Sequence, residues 1–322
     1  MILRRTRPMG PIGLMGPIKK GGEKMDPSLC LRMTEGIVSE QGLKHKGEIP
    51  IPLTLYLLVT FGSAWLIWLP LLIAEYLRLS LPVPSVVFIT LGSFAPSIAA
   101  LFLTWRYSGG TELRKLLGLA LVWRVSPIWY VLAIVGPAMV MLLAMGGHIL
   151  LGGTAPDYVP FGARWLIVAV NFVLVFLIGG PLGEEFGWRG VVLPALEARF
   201  SPPWESLILG IIWTVWHLPL FFIAASAQHS LPFWLFALLT MPLCILITLV
   251  YHGSGDSLLL VMLFHAAVNT WSGVLKISPE AAGSTRPIAL VMLLTWVVAL
   301  LVVVSRKRFA SKRPLLRSNK FS

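Results

Sequence analysis

Glu184, Glu185 and Arg189 fall within one short stretch, Gly183-Glu184-Glu185-Phe186-Gly187-Trp188-Arg189-Gly190, of an otherwise strongly apolar chain. Two later apolar segments each contain a histidine: Trp213-Thr214-Val215-Trp216-His217 and His265-Ala266-Ala267-Val268-Asn269. Ionisable groups in hydrocarbon are costly and are kept where they are paired, solvated and useful. A carboxylate, two imidazoles and an amide are the parts of a hydrolytic site sunk in a membrane. Glu185 and Arg189 are four residues apart, so on a helix they share a face and can pair. Glu184 points about 100° away from its neighbour on a helix and is free for another role. Beside an imidazole it can hold and deprotonate a water, as a general base must; His217 is the natural second member. His265 and Asn269 are also four apart, and their N–H groups suit a tetrahedral oxyanion.

Other readings compete with this one. A lone histidine in a span is commonly a helix–helix hydrogen bond, and a Glu–Arg pair can be a structural staple. A proton pathway uses similar residues but spreads them through the bilayer depth, whereas these cluster at one level. Glu184, His217 and His265 are also ligand types that suit zinc, although the chain has no His-Glu-x-x-His helix. Gly253-Ser254-Gly255-Asp256 resembles the G-x-G-D element of intramembrane aspartyl proteases. That mechanism needs a second aspartate in another span, and Asp26 and Asp157 lie in a tail and a connection. Trp213 and the other aromatics read as packing or interface anchors. His229 and His252 fall in connections and are assigned no role.

The chain has 57% hydrophobic and only 12% charged residues, about half the charge of a soluble domain. It is expected to be all-α, a polytopic transmembrane helix bundle of about eight spans. The net charge of +12 suggests nucleic acid, but its distribution argues against that partner. Most Lys and Arg lie before residue 50, between 106 and 124, and after 305, beside the ends of spans. Cys30 and Cys244 are far apart, one in the tail and one in a span, so neither a disulfide nor a thiol enzyme is indicated.

A helical span needs about 20 apolar residues. Eight candidates are 52–75, 84–105, 127–151, 163–182, 206–225, 232–251, 257–276 and 286–305, with Pro70, Pro96, Pro137 and Pro242 inside them as expected kinks. The connection 106–124 is expected to be an interfacial amphipathic helix. Residues 1–50 read as a basic, mostly disordered tail without a signal peptide, with Met25 or Met33 as alternative starts. Residues 51–305 form the membrane domain and 306–322 a second basic tail. An even span count with basic termini places both tails in the cytoplasm, and the polar residues in the cytoplasmic half. Gly179-Gly180-Pro181 and Gly183 should loosen span four there and admit water or an extended peptide.

Three motifs in order now carry a resemblance. Glu184-Glu185 through Arg189 matches E-E-x-x-x-R. Trp213 to His217 matches an aromatic or small residue followed by x-x-x-His, although Phe is the commoner aromatic. His265 to Asn269 matches H-x-x-x-N/D. Over roughly residues 165–276 the chain resembles the CPBP intramembrane glutamic endopeptidases, which include the type II CAAX prenyl endopeptidases. The resemblance implies a peptidase without metal or other cofactor, acting on a membrane-associated peptide or protein in the lipid bilayer. Glu184 and His217 would activate water, His265 and Asn269 would stabilise the oxyanion, and Glu185 with Arg189 would support them. It does not imply a prenylated substrate, and some members are linked to immunity or scaffold roles. A bacterial plasma membrane is the expected location. A non-enzymatic immunity or adaptor protein and a proton-coupled transporter are the alternatives.

Overall fold

The computed structural model describes residues 51–155 and 165–311. The expected tail 1–50, with its alternative starts, and residues 312–322 lie outside the described residues. Among the described residues the chain is helical, with no strand. In order the helices are α1 (Leu53–Leu77), α2 (Ser85–Ser93), α3 (Ala95–Leu119), α4 (Pro127–Leu150), α5 (Trp165–Ile178), α6 (Pro181–Gly187), α7 (Leu193–Glu197), α8 (Trp204–Trp216), α9 (Phe233–Gly253), α10 (Leu258–Val274), α11 (Pro279–Ala282) and α12 (Arg286–Ser311). A π-helical segment, Trp188–Val192, joins α6 to α7. A 3-10 turn, Leu218–Phe222, follows α8.

Among the described residues seven helical segments are long and apolar enough to cross a membrane, and a bent pair, Val168–Ile178 with Pro181–Glu197, makes an eighth if it is one span. Leu66, Leu143, Leu166 and Leu301 stand on the outside of the bundle, where lipid rather than water suits them. The protein is therefore an integral membrane helix bundle. With lipid outside, helix association rests on close packing and interhelical hydrogen bonds rather than on the hydrophobic effect.

The second expected span, 84–105, is interrupted and longer. Phe94 separates α2 from α3, so Pro96 opens a helix instead of kinking one, a position where its missing N–H costs nothing. The helix then runs past residue 105 to a break at Gly109, whose φ of 82° ends the regular path. The piece beyond it exposes Arg114 and Lys115 and buries Leu116, the amphipathic pattern expected of 106–124. Pro70, Pro137 and Pro242 do lie inside helices. The expected span 206–225 is α-helical only to Trp216, with His217 at its C-terminal cap. His252 belongs to the last turn of α9, not to a connection.

The break before α6 positions the site. Gly180 has φ 111°, a conformation that side chains disfavour, and the chain bends by 40° between α5 and the helix that starts at Pro181. Gly183 lets that helix close on the α2–α3 junction, since a Cβ there would stand 2.6 Å from the Ser93 carbonyl oxygen. Ser97 Oγ donates to the Leu182 carbonyl at 2.9 Å, and Tyr56 donates to the Pro96 carbonyl at 2.9 Å. Trp216 packs between Trp68 and Trp188, with ring centres 5.1 and 5.6 Å away. α8 lies along α9, joined by Ser206 donating to Thr248 at 3.0 Å. α10 packs against α4, α5, α6 and α9, which brings the third motif to the first.

Candidate active site

The helical period sets two parallel rows on the helix that begins with α6. Glu184 and Trp188 form one, Glu185 and Arg189 the other, each pair one turn apart. The second row is an ion pair with both side chains fully buried: Arg189 Nη1 donates to the two Glu185 oxygens at 3.0 and 2.9 Å. Arg189 Nη2 reaches Cys244 Sγ at 3.4 Å, and its guanidinium carbon lies 5.2 Å from the centre of the Trp213 ring. The π-helical segment begins at Trp188 and holds Arg189; such insertions often mark functional sites.

α10 supplies the next partner. His265 Nδ1 lies 2.7 Å from Glu185 Oε1. A carboxylate oxygen accepts, so Nδ1–H donates, and the Nε2 edge is left over. Glu185 thus joins a cation of its own helix to an imidazole from another.

Glu184 is held differently. Its Oε2 accepts from Trp188 Nε1 at 3.2 Å and from Trp213 Nε1 at 2.6 Å. Its Oε1 faces the helix break: a Cβ on Gly180 would stand 2.6 Å from Oε1 and 3.9 Å from Asn269 Nδ2. The Asn269 amide donates to the Gly179 carbonyl at 3.1 Å. Glu184 and Asn269 therefore meet at the unwound glycines, the exposed edge of an otherwise buried cluster.

His217 Nδ1 lies 2.7 Å from the Trp213 carbonyl oxygen. The carbonyl can only accept, so Nδ1 carries the hydrogen and Nε2 of the neutral ring is an acceptor. Trp213, Trp216 and Phe236 surround the ring edge-to-face, with centres 5.6, 4.7 and 5.2 Å away. Trp213 also meets His265 edge-to-face at 5.2 Å.

The six residues picked out by spacing thus converge on one buried cluster and its edge at the break. Glu184 and His217, expected to share a water, are not joined by a direct hydrogen bond; indoles hold the first and a backbone carbonyl the second. Two other features differ from the expected ones. His265 and Asn269 share α10 but diverge, one to buried Glu185 and the other to the break. Trp213 is more than packing, because it touches Glu184, Arg189 and both histidines. Trp188 was missed, although its four-residue distance from Glu184 is the same signal that paired Glu185 with Arg189. Among the described residues, no group of three or more His, Cys, Asp or Glu is arranged to hold a metal ion.

Residues 165–271 match the family described as Type II CAAX prenyl endopeptidase Rce1-like. All three motifs lie inside that match. The chain is also 29% identical over 240 residues to CAAX prenyl protease 2 of Methanococcus maripaludis, a similarity covering 70% of this chain and 86% of the relative. The match meets the resemblance drawn from the motifs.

Proposed function

Taking the chain as an intramembrane protease of the Rce1-like family, we propose that it hydrolyses peptide bonds of membrane-associated substrates by a metal-independent route with Glu184 as general base. The observation that carries this reading is the division of labour at Glu184: Oε2 is occupied by two indole donors while Oε1 faces the break at Gly180. A water at that edge gives its proton to Glu184, and its oxygen attacks the scissile carbonyl carbon. His217 Nε2, an acceptor, helps to hold that water. The second N–H of the Asn269 amide is the donor for the developing oxyanion, where fixed donors contribute most; His265, whose Nδ1–H is given to Glu185, adds an Nε2–H there only in its doubly protonated form. As the carbon–nitrogen bond breaks, the proton passes from Glu184 to the leaving amine. Glu185 and Arg189 keep His265 and the motif helix in place.

The name of the Methanococcus relative makes a prenylated C-terminal peptide the first substrate to test. Purified protein in lipid discs should cleave a membrane-associated peptide, and Glu184→Ala should not. Cleavage should survive stringent chelation; loss with rescue by zinc would instead make Glu184, His217 and His265 ligands. Loss of Glu184, His217 or His265 would favour the adaptor reading, and all three are present.

The basic connection 106–124 and the basic stretches before residue 50 and after 305 support a site reached from the cytoplasmic side of a bacterial plasma membrane. In a background without native cysteines, a cysteine at Ser201 should react with an impermeant thiol reagent in inside-out vesicles. A cysteine at Ala225 should react in right-side-out ones. The reverse pattern would invert the topology and the substrate pool.

A further inference from the structure

We infer that Trp188 and Trp213 are positioning residues that reserve Glu184 Oε1 for the attacking water. The inference deepens the reading of Glu184 as the base and rests on it. A carboxylate turns readily about its last torsion, so a catalytic glutamate in a wide site presents either oxygen in many directions. Here two N–H groups from different helices converge on one oxygen: Trp188 from the motif helix at 3.2 Å and Trp213 from α8 at 2.6 Å. The Trp213 bond is of the short kind made to a carboxylate, and the longer Trp188 bond supplies the second point. With Oε2 fixed at two points, the plane of the carboxylate is set and Oε1 is directed at Gly180, beside the Asn269 amide.

Indole suits this task. It donates and cannot accept, so neither tryptophan competes with Glu184 for the proton of water. Both rings are buried and braced: Trp188 against Trp216, Trp213 against His217 and His265. Arg189 lies over the Trp213 ring at 5.2 Å. A cation on the ring face draws electron density from the indole and strengthens its N–H as a donor. The Glu185–Arg189 pair therefore acts on Glu184 through Trp213, although no hydrogen bond links the two carboxylates. Phe, the commoner aromatic at this motif position, would keep the ring contacts and lose the donor.

The step balances without any further reactant. One O–H bond of water breaks, its proton binds Oε1, and the water oxygen bonds to the carbonyl carbon. The same proton then leaves Oε1 for the amine nitrogen. Tyr56, Glu185, Arg189 and His265 are the titratable groups that share the electrostatic surroundings of Glu184; Trp213 itself touches Arg189 and His265, so a replacement that keeps its bicyclic ring disturbs them least.

The test separates the N–H from the ring. Site-specific replacement of Trp213 by 3-benzothienylalanine keeps the bicyclic shape and removes the donor; Trp213→Phe and Trp188→Phe are the conventional counterparts. In purified full-length protein, each loss of a donor should lower kcat about tenfold at neutral pH, and loss of both about a hundredfold, from the usual worth of a charge-assisted hydrogen bond. KM and the melting temperature of the benzothienyl protein should stay near those of the parent. The deficit should fall on kcat and not on KM. Unchanged kcat, with Glu184→Gln inactive, would remove the clamp and leave the base. A kcat loss matched by a lower melting temperature in the benzothienyl protein would make the tryptophans packing alone. An active Glu184→Gln protein would remove the base itself, whatever the tryptophan variants do.

Discussion

Two assemblies among the described residues join histidine to carboxylates, and they differ in burial. In the inner one, Glu185 lies between Arg189 and His265, with side-chain exposures of 0%, 0% and 4%. In the outer one, His252 at the end of α9 contacts Glu197 of α7 at 2.5 Å and Asp256 of the following turn at 2.9 Å, with exposures of 35%, 30% and 54%. Both tie together segments that carry the motifs: α7 continues the first motif helix, and the turn at Asp256 leads into α10. The distances are alike, so distance does not separate them. Solvent does. The outer charges are screened by water and can exchange partners with it. The inner ones have no such substitute, so each depends on the others. Buried pairs are poor sources of net stability but costly to break, whereas exposed pairs are cheap in both senses.

Breaking the inner assembly should have the largest effect. Arg189→Ala leaves Glu185 buried without its cation and should cost about 3–5 kcal/mol of stability, seen as a lower melting temperature, together with loss of cleavage. An Arg189→Ala protein of unchanged melting temperature would show that Glu185 is solvated after all. The outer assembly should tolerate the corresponding cut. His252→Ala should lower stability by about 1 kcal/mol or less and leave kcat within about twofold, well below one hydrogen bond's worth. A His252→Ala protein as damaged as Arg189→Ala would erase the contrast and make the helix ends as important as the buried cluster.

The sequence made one kind of contact legible and hid another. Glu185 with Arg189 was readable because four residues on a helix are neighbours whatever surrounds them. The pairing of His265 with Glu185 spans 80 positions and depends on how α10 is rotated against the motif helix, which spacing does not reveal. The same holds for Trp213: its N–H reaches Glu184 only because α8 is set at the right height beside the break. The bundle was legible through apolar length, but its interruptions were less so. Phe94 and Gly109 divide and extend the second span, and α8 ends before His217 rather than after it. The break at Gly179–Gly180 was anticipated from its glycines. Its consequence, an oxygen of Glu184 standing over Gly180, needed the fold.

Adjacent Glu184 and Glu185 carry the same chemistry in these two fates, one poised at the break and one locked between Arg189 and His265, and the most direct measurement exploits that. Purified Glu184→Gln and Glu185→Gln proteins should be compared for melting temperature and for kcat on one membrane-associated peptide. Glu184→Gln is predicted to keep the parent's melting temperature within a few degrees and to show no measurable turnover, because the amide fills the same space but takes no proton. Glu185→Gln is predicted to melt lower, since Arg189 and His265 lose their anion. A Glu184→Gln protein that still turns over, whatever its melting temperature, would contradict the assignment of Glu184 as the base.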